Sequence, residues 1–328
     1  MSNRLSGKLV SGEVAGEGPV VLVHGGAWDI PASAVAEHRA GLARALRVAR
    51  RAVEAGHDAL AVAVETVAAL EDHPAFDAGR GSVLDRDGAV QLDAGVMEGE
   101  TRRWGAVANV RGLPNPVRAA RALLDADEQA RLLVGEGAER FAAEQGLPAV
   151  SPSALVVARE RERYDRLRAH PDFGTAALAG QMDVPDSPGR APAGTVGCVV
   201  RDAQGRLAAA TSTGGAPLTR SGRVGDSPVP GAGFLATPAG AASATGWGEA
   251  ILTVGLCGRA VSHLDGRAPA AAARQALEDM TDAVRWRPDP ATGGLLVVDA
   301  AGRAGWAFST PRMARAWWRP GEEPGLDV

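Results

Sequence analysis

The sequence is poor in cysteine and almost devoid of lysine. Its 328 residues contain two cysteines, Cys198 and Cys257, and one lysine, Lys8. Two cysteines are too few for the disulfide framework of a small secreted domain or for a zinc site built from thiolates. Arginine supplies every other fixed cation, and a net charge of −4 predicts no basic surface of the kind that binds nucleic acid.

Long apolar runs and targeting segments are also missing from the sequence. No uninterrupted apolar run approaches the roughly 18 to 20 residues that a membrane-spanning helix needs, and the first residues lack the apolar core of a signal peptide. Hydrophobic residues nevertheless make up 45% of the chain, which is enough to bury a sizeable core. We therefore expect a cytoplasmic globular protein that binds neither nucleic acid nor a membrane.

Helical and alternating apolar patterns predict a mixed α and β protein. A β-branched run at 20–24 predicts a strand that opens at His24-Gly25-Gly26 into a turn with exposed N–H groups. Asp58 should cap the helix that begins beside it, and a hairpin should turn at Asp87-Gly88. Further helical patterns occur at 33–56, 116–125, 136–145 and 153–169, and further strands at 103–110 and on both sides of Ala203-Gln204-Gly205.

The glycines of "VVLVHGGAW" (20–28) point at first to a serine esterase, because α/β-hydrolases present part of their oxyanion hole on such a turn. That class also needs the motif G-x-S-x-G. No serine has glycine on both sides at that spacing, and Ser227 has it on one side only. The signatures of zinc proteases, P-loops and dinucleotide-binding folds are missing as well.

Proline, glycine and small residues dominate 180–194, which predicts a mobile linker that runs directly into a core strand. The junction Gly194-Thr195 suits a self-cleaving peptide bond, because glycine permits strained dihedrals and leaves its carbonyl open to the Thr195 hydroxyl. An N→O acyl shift and hydrolysis of the resulting ester then free the Thr195 α-amine. Its reference pKa of about 7.7 to 8.0 makes this amine a base for the hydroxyl of the same residue.

Eight segments, in order along the chain, resemble the plant-type asparaginase and isoaspartyl peptidase family of N-terminal nucleophile hydrolases. They are "VHGGAW", "LEDHPAFDAGRGSV", "LDAGVMEG", "LVGEGAERFA", "GTVG", "TSTGG", "GRVGDSP" and "TGWGEA". The resemblance covers nearly the whole sequence, and several motifs at matching spacing are far more specific than any one of them.

The resemblance implies a role in catalysis for four matching residues. Thr195 is the expected nucleophile, and Thr213 in "TSTGG" is expected to hydrogen-bond its hydroxyl. Thr245 and the Gly246 amide in "TGWGE" are expected to form the oxyanion hole.

Substrate recognition is assigned by the same resemblance to Arg223 and Asp226 in "GRVGDSP". A planar guanidinium suits an α-carboxylate, and a carboxylate accepts hydrogen bonds from an α-ammonium. The Gly248 backbone is expected to help hold the substrate amine.

The segment "LEDHPAFDAGRG" resembles the family loop that wraps a structural sodium ion with main-chain carbonyls, since oxygen ligands suit a hard cation. The carbonyls expected at this ion belong to Leu70, Glu71, His73, Phe76, Ala78 and Arg80. No catalytic cofactor is expected.

Two residues depart from the family pattern. The family's "FNAG" is "FDAG" here, which places Asp77 where an asparagine amide is expected beside the nucleophile, so Asp77 is a candidate for tuning it. Trp247 fills the variable position of "TGxGE", where its bulk is expected to narrow or line the leaving-group side of the pocket.

The resemblance also implies an α+β fold, the four-layer αββα sandwich with two stacked antiparallel sheets. One domain, 1–328, is expected to mature into an α subunit (1–194) and a β subunit (195–328), and two such αβ pairs to associate. The expected reaction is hydrolysis of a β-aspartyl amide in L-asparagine or in β-aspartyl dipeptides.

Simpler interpretations stay open at this point. Thr195 can be an ordinary β-branched strand residue, and Arg223 and Asp226 can be a surface ion pair worth under about 1 kcal/mol. Two other functions stay open as well. One is a glycosylasparaginase-like amidase, and the other is an uncleaved, weakly active relative that only binds aspartate-like ligands.

Overall fold

The computed structural model describes residues 9–126, 129–169, 194–285 and 290–328. Thirteen strands lie in these ranges: β1 Val10–Val14, β2 Val20–Trp28, β3 Leu92–Glu98, β4 Trp104–Val110, β5 Leu132–Val134, β6 Val196–Arg201, β7 Leu207–Thr213, β8 Phe234–Thr237, β9 Gly240–Gly246, β10 Gly293–Asp299, β11 Ala304–Phe308, β12 Arg312–Trp318 and β13 Gly325–Asp327. The α-helices described are α1 Val35–Glu54, α2 Ala59–Glu71, α3 Pro116–Ala126, α4 Glu136–Glu144, α5 Ala158–Arg168, α6 Gly248–Val254, α7 Leu256–Ser262 and α8 Pro269–Ala283.

The strands form two sheets. The smaller sheet has the order β1-β11-β10-β9-β8, and the larger sheet has the order β13-β12-β2-β6-β7-β3-β4-β5. All neighbouring strands are antiparallel except β4 and β5, which are parallel. The expectation of two wholly antiparallel sheets is therefore wrong for this edge pair, because α3 carries the chain back across the sheet between them.

Helices pack on both sheets, and the sheets pack on each other. Helices α1 to α3 contact the larger sheet, and α7 and α8 contact the smaller one. Strands β6 and β7 of the larger sheet pack against β9 of the smaller sheet. Between the sheets, Phe234 lies over Gly95, where any Cβ would overlap the ring. The mixed α and β class expected from the sequence is confirmed.

Most of the predicted elements are present close to their expected bounds. The Asp58 side chain accepts the Ala61 N–H at 2.8 Å and caps α2, as expected. Strands β6 and β7 flank the predicted turn, in which the Gly205 N–H donates to the Asp202 carbonyl. The 153–169 pattern divides into a 3₁₀ turn at Pro152–Leu155 and α5, since Val156 and Val157 have extended backbones.

Two local predictions are wrong. His24-Gly25-Gly26 is not a turn, because β2 continues through it to Trp28 with Gly26 at a φ of +102°. A Cβ on Gly25 would overlap the Phe76 ring, so these glycines allow close packing within a strand. Asp87-Gly88 does turn, but the strand before it is not formed, because the Asp85 carboxylate accepts the N–H groups of Asp87 and Ala89 and holds the segment as a loop.

Three further expectations concern the whole chain. The predicted linker lies outside the described residues except for Gly194, so its mobility stays a prediction. Cys198 and Cys257 are both buried and unpaired. Within the ranges that the structure describes, no helix is both long enough and apolar enough to cross a membrane.

Candidate active site

Thr195 and Thr213 face each other on neighbouring strands. Thr195 directly precedes β6, Thr213 ends β7, and the antiparallel register pairs Val196 with Ser212, which sets the two threonines opposite each other. The Thr195 hydroxyl donates to Thr213 Oγ1 at 3.2 Å. Both side chains are buried, so the hydroxyl expected to be the nucleophile sits in a defined, largely water-free position.

The glycines after Thr213 connect this pair to a second group of predicted residues. The Gly215 N–H donates to Thr213 Oγ1 at 3.0 Å. A Cβ on Gly215 would lie 3.7 Å from Arg223 Nη1. The structure therefore places the Thr195–Thr213 pair close to Arg223, the residue expected to bind the substrate α-carboxylate.

Arg223, Asp226 and Gly248 form that second group. A Cβ on Gly248 would lie 2.6 Å from Arg223 Nη2 and 2.9 Å from Asp226 Oδ1. Any larger residue at this position would therefore collide with both the guanidinium and the carboxylate. The three residues that the sequence assigned to substrate recognition thus lie together.

Asp226 is buried, and one of its carboxylate oxygens accepts no hydrogen bond among the described residues. Its Oδ2 has no hydrogen-bond partner among the described residues. Burial raises the pKa of Asp226 to about 7, against the opposing effect of the Arg223 charge. An unpartnered buried carboxylate oxygen is costly, and a hydrogen-bond donor on a ligand would satisfy it.

Glu249 is a neighbour of Arg223 to which the sequence analysis gave no role. Its Oε1 lies 3.0 Å from both Nε and Nη2 of Arg223. Burial works to lower the pKa of Arg223, but the charges of Glu249 and Asp226 outweigh it, so the pKa is raised and the guanidinium stays charged. The position of Glu249 one residue after Gly248, in "TGWGEA", was the signal that could have identified it.

Thr245 and Gly246 end β9 of the smaller sheet. Thr245 is fully buried, and Gly246 has a φ of +138° with Gly293 so close that a Cβ would overlap it. The chain continues from Gly246 through Trp247 into α6, which begins with Gly248. The predicted oxyanion residues, Thr245 and Gly246, therefore lie three and two residues before the glycine that adjoins Arg223 and Asp226.

Trp247 contributes mainly to packing. It is half-buried and lies against the apolar cluster that β9 and β10 form with α6 to α8. Its indole therefore supports the beginning of α6. The role expected from the sequence, in which Trp247 lines or narrows the leaving-group side of the pocket, stays a prediction.

Asp77 lies beside the junction Gly194-Thr195, as the resemblance implied. A Cβ on Gly194 would lie 2.6 Å from Asp77 Cβ. The Gly214 N–H donates to the Asp77 carbonyl at 2.9 Å, and a Cβ on Gly214 would overlap Asp77 Oδ1. The carboxyl is thus enclosed by the residue before Thr195 and the residue after Thr213.

The surroundings of Asp77 disfavour its negative charge. Burial raises the pKa of Asp77 to about 7, and Glu160 adds to this, whereas the N–H groups of Val83 and Gly194 and the charge of Arg163 oppose it. The Val83 N–H donates to Oδ1 at 2.9 Å, and Oδ2 has no partner among the described residues. Near neutral pH this aspartate is therefore a mixture of carboxylate and neutral carboxylic acid.

The loop that resembles a sodium site is closed by its own backbone. The Arg80 N–H donates to the Glu71 carbonyl at 2.8 Å, and the carbonyls of Leu70 and His73 accept from His73 and Phe76 at 3.0 and 3.2 Å. A carbonyl oxygen has a second lone pair, so these bonds leave each of the three able to coordinate a cation. In the described part of the chain no group of three or more His, Cys, Asp or Glu side chains could hold a metal.

Comparison with known proteins shows the family to which the chain belongs. The family model described as "Asparaginase" matches residues 17–324. The chain is 38% identical over 301 residues to the isoaspartyl peptidase/L-asparaginase of Danio rerio, which covers 91% of each chain. It is 38% identical over 324 residues to the isoaspartyl peptidase of Salmonella typhimurium, covering 94% of this chain and 98% of the relative.

A third relative is named as a plant-type enzyme. The plant-type L-asparaginase of Pyrobaculum calidifontis is 40% identical over 309 residues, covering 92% of this chain and 97% of the relative. The chain belongs to the asparaginase family. The resemblance identified from the eight sequence segments is thereby confirmed, and with it the classification as a hydrolase.

The raised pKa of Asp77 predicts a specific pH dependence of stability. An aspartate titrates near 3.9 in the unfolded chain and at about 7 here, so between these values the folded state binds more protons. Asp77 therefore stabilises the folded state fully below pH 4. This contribution to the free energy of unfolding is lost as the pH rises through 7, by up to about 1.4 kcal/mol per pH unit.

The measurement compares the chain with its Asp77→Asn variant, both carrying Thr195→Ala so that no cleavage intervenes. Denaturant unfolding between pH 5 and pH 7 should show the protein with Asp77 losing stability relative to the Asp77→Asn variant as the pH rises. Parallel curves for the two proteins would mean that Asp77 titrates in its ordinary range.

Proposed function

We propose that the chain cleaves itself between Gly194 and Thr195 and that the mature protein then hydrolyses β-aspartyl amides. Its substrates are L-asparagine and β-aspartyl dipeptides. The observation that carries the proposal is the arrangement of Thr195, hydrogen-bonded to Thr213, beside the half-buried Arg223 and the buried Asp226. The isoaspartyl peptidase and asparaginase names of the relatives support the same substrate class.

Maturation uses the Thr195 hydroxyl before the amine exists. Thr195 Oγ1 attacks the Gly194 carbonyl carbon, the peptide C–N bond breaks, and the hydroxyl proton passes to the released nitrogen. The product is an ester between Gly194 and the Thr195 side chain. Water hydrolyses this ester, which leaves a carboxylate on Gly194 and a free amine on Thr195.

Turnover repeats this attack on the substrate. The Thr195 amine takes the proton of its own hydroxyl, and Oγ1 attacks the side-chain carbonyl carbon of the substrate. Thr245 and the Gly246 N–H stabilise the negative charge on the carbonyl oxygen. Ammonia or an amino acid leaves with a proton, and water then releases aspartate from the acyl-enzyme.

The substrate is recognised through its two charges at the α-carbon. The Arg223 guanidinium binds the α-carboxylate, and the free Asp226 oxygen accepts from the α-ammonium, with Gly248 leaving room for both. A zwitterion satisfies the two groups together. A substrate without the α-ammonium would leave the buried Asp226 Oδ2 without a hydrogen-bond partner, which is costly, and one without the α-carboxylate would lose its bond to Arg223.

The proposal includes the layered arrangement of the sheets and helices. The two sheets in contact, with α1 to α3 on the larger and α7 and α8 on the smaller, support the four-layer αββα sandwich. The single domain of 1–328, its division into 1–194 and 195–328, the dimer of αβ pairs and the cytoplasmic location stay predictions.

The structural sodium ion also stays a proposal. The carbonyls of Leu70, Glu71, His73, Phe76, Ala78 and Arg80 would hold it, and the closed loop from Glu71 to Arg80 supports this. The ion would stiffen the loop that carries Asp77 and has no part in the chemical steps.

Product analysis tests the reaction directly. L-asparagine should yield aspartate and ammonia, and β-aspartyl-leucine should yield aspartate and leucine, with Thr195→Ala inactive on both. Hydrolysis of a glycosylated asparagine alone would instead indicate a glycosylasparaginase-like amidase. Binding of aspartate without any product would indicate the weakly active, uncleaved relative.

Cleavage of the chain tests the proposed maturation. The purified protein should split without a protease, and 194 and 134 of the 328 residues of a 33.5 kDa chain correspond to fragments of about 20 kDa and about 14 kDa. Thr195→Ala should remain one chain because it has no hydroxyl for the attack. Mass spectrometry decides the outcome: a second fragment beginning at any residue other than Thr195 contradicts the proposal.

Truncation of Arg223 tests substrate recognition. Arg223→Ala removes a guanidinium whose side chain is only 16% exposed, and with it the charge-assisted pair to the substrate carboxylate, so kcat/KM for asparagine should fall by an amount equivalent to about 2–5 kcal/mol. Self-cleavage should continue, because the Gly194-Thr195 bond offers no carboxylate to bind. Arg220→Ala, an exposed arginine of the same loop, is the control, and equal activity of the two variants would contradict the assignment.

Asp77→Asn tests whether Asp77 tunes the nucleophile. A carboxylate beside the mature Thr195 amine favours the ammonium form and raises the pKa of the amine. The amine acts only when deprotonated, so the acidic limb of the pH–rate profile should move to lower pH in the variant. Asp72→Asn on the same loop is the control, and superimposed acidic limbs would show that Asp77 does not tune the amine.

A further inference from the structure

The His24 side chain connects the nucleophile residue to the opposite sheet. Its Nδ1 lies 2.9 Å from the Thr195 carbonyl oxygen, and its Nε2 lies 2.7 Å from Ser243 Oγ. His24 and Ser243 are fully buried. Because His24 lies on β2 of the larger sheet and Ser243 on β9 of the smaller, the two hydrogen bonds span the interface between the sheets.

The direction of both hydrogen bonds follows from their chemistry. A carbonyl oxygen can only accept, so Nδ1 carries the proton that is shared with Thr195. Burial lowers the pKa of His24 to about 3, although the Thr195 carbonyl opposes this, so the ring is neutral and Nε2 is an acceptor. Ser243 Oγ–H therefore donates to His24, and His24 donates to Thr195.

Gly197 provides the space that this connection occupies. The register of β2 and β6 sets His24 opposite Gly197. A Cβ on Gly197 would overlap both His24 Nε2 and Ser243 Oγ. The second glycine of "GTVG" is thus required because the imidazole and the serine hydroxyl meet above it.

A hydrogen-bonded serine and histidine also resemble the nucleophile and base of a serine hydrolase. The other hydrogen bond of the imidazole argues against that role here. The second nitrogen of the imidazole is hydrogen-bonded to the backbone carbonyl of Thr195. The arrangement therefore holds the backbone of Thr195 in position.

The connection ends close to the predicted oxyanion hole. Side chains two residues apart on a strand point to the same face, so Ser243 and Thr245 both project from β9 towards the larger sheet. Through His24, the position of the Thr195 backbone is therefore tied to the strand that carries Thr245.

We propose that His24 and Ser243 are positioning residues that fix the distance between the Thr195 nucleophile and the oxyanion residues of β9. The inference rests on the proposed function, since both maturation and turnover require Thr195 Oγ1 to attack a carbonyl whose oxygen reaches Thr245. Neither residue exchanges a proton with substrate.

The test uses Ser243→Ala, His24→Asn and the double variant. Alanine is compatible with the small residues of β9, and an asparagine amide can keep the donor to Thr195 while losing the partner of Ser243. Each single variant should lower kcat of the mature enzyme and slow self-cleavage, by about tenfold to a hundredfold for a misplacement near 1 Å. KM should change less than about twofold, because Arg223 and Asp226 are untouched.

The double variant distinguishes one shared connection from two separate effects. Because both substitutions break the same link, kcat of the double variant should equal that of the more severe single variant. The acidic limb of the pH–rate profile should not move, since the Thr195 amine remains the base. Thr66→Val, which removes a buried hydroxyl that donates to the Val62 carbonyl within α2, is the control and should retain wild-type kcat.

Several results would overturn the inference. They are a lowered melting temperature with unchanged kcat and cleavage rate, a multiplied loss in the double variant, or a shifted acidic limb. If His24→Asn does not fold, Ser243→Ala alone decides through its kcat, KM and cleavage rate. Failure of the wild-type chain to cleave itself or to hydrolyse either substrate would contradict the proposed function instead.

Discussion

The register of β6 is the constraint on which the site depends. Its pairing with β7 sets Thr195 opposite Thr213, and its pairing with β2 sets Gly197 opposite His24. A slip of one residue would turn Thr195 away from Thr213 and place a valine against the imidazole. The central place of β6 in the larger sheet, buried between helices on one side and the smaller sheet on the other, makes such a slip very costly.

Acidic side chains predominate around Arg223. Arg223 is accompanied by Glu249, by Asp226 and by Asp93, whose pKa burial also raises. Carboxyl groups outnumber the guanidinium here, which fits the proposed recognition of a ligand that carries both an ammonium and a carboxylate. Because burial keeps Asp226 partly protonated near neutral pH, the cost of burying its charge is limited.

The motifs allowed much of the site to be predicted, because each one combines a special backbone position with a functional side chain. Thr195, Thr213, Arg223, Asp226 and Gly248 come together as expected, and Asp77 lies beside Gly194. The motifs give no role to Glu249, and they favour His24 as a structural histidine without indicating its partners. Both contacts join separate segments, 26 residues apart for Arg223 and Glu249 and 219 apart for His24 and Ser243. The glycines of β2 were misread for the same reason, since Phe76, which packs on Gly25, belongs to a different part of the chain.

The most direct test of the account is a crystal structure of the mature protein with L-aspartate, the expected product. The account predicts a free amine on Thr195, the α-carboxylate on Arg223, the α-ammonium on Asp226, and the side-chain carboxylate between Thr195 Oγ1 and Thr245. Aspartate bound in the reverse orientation or away from Thr195, or an intact Gly194-Thr195 bond in protein that is fully active, would contradict it.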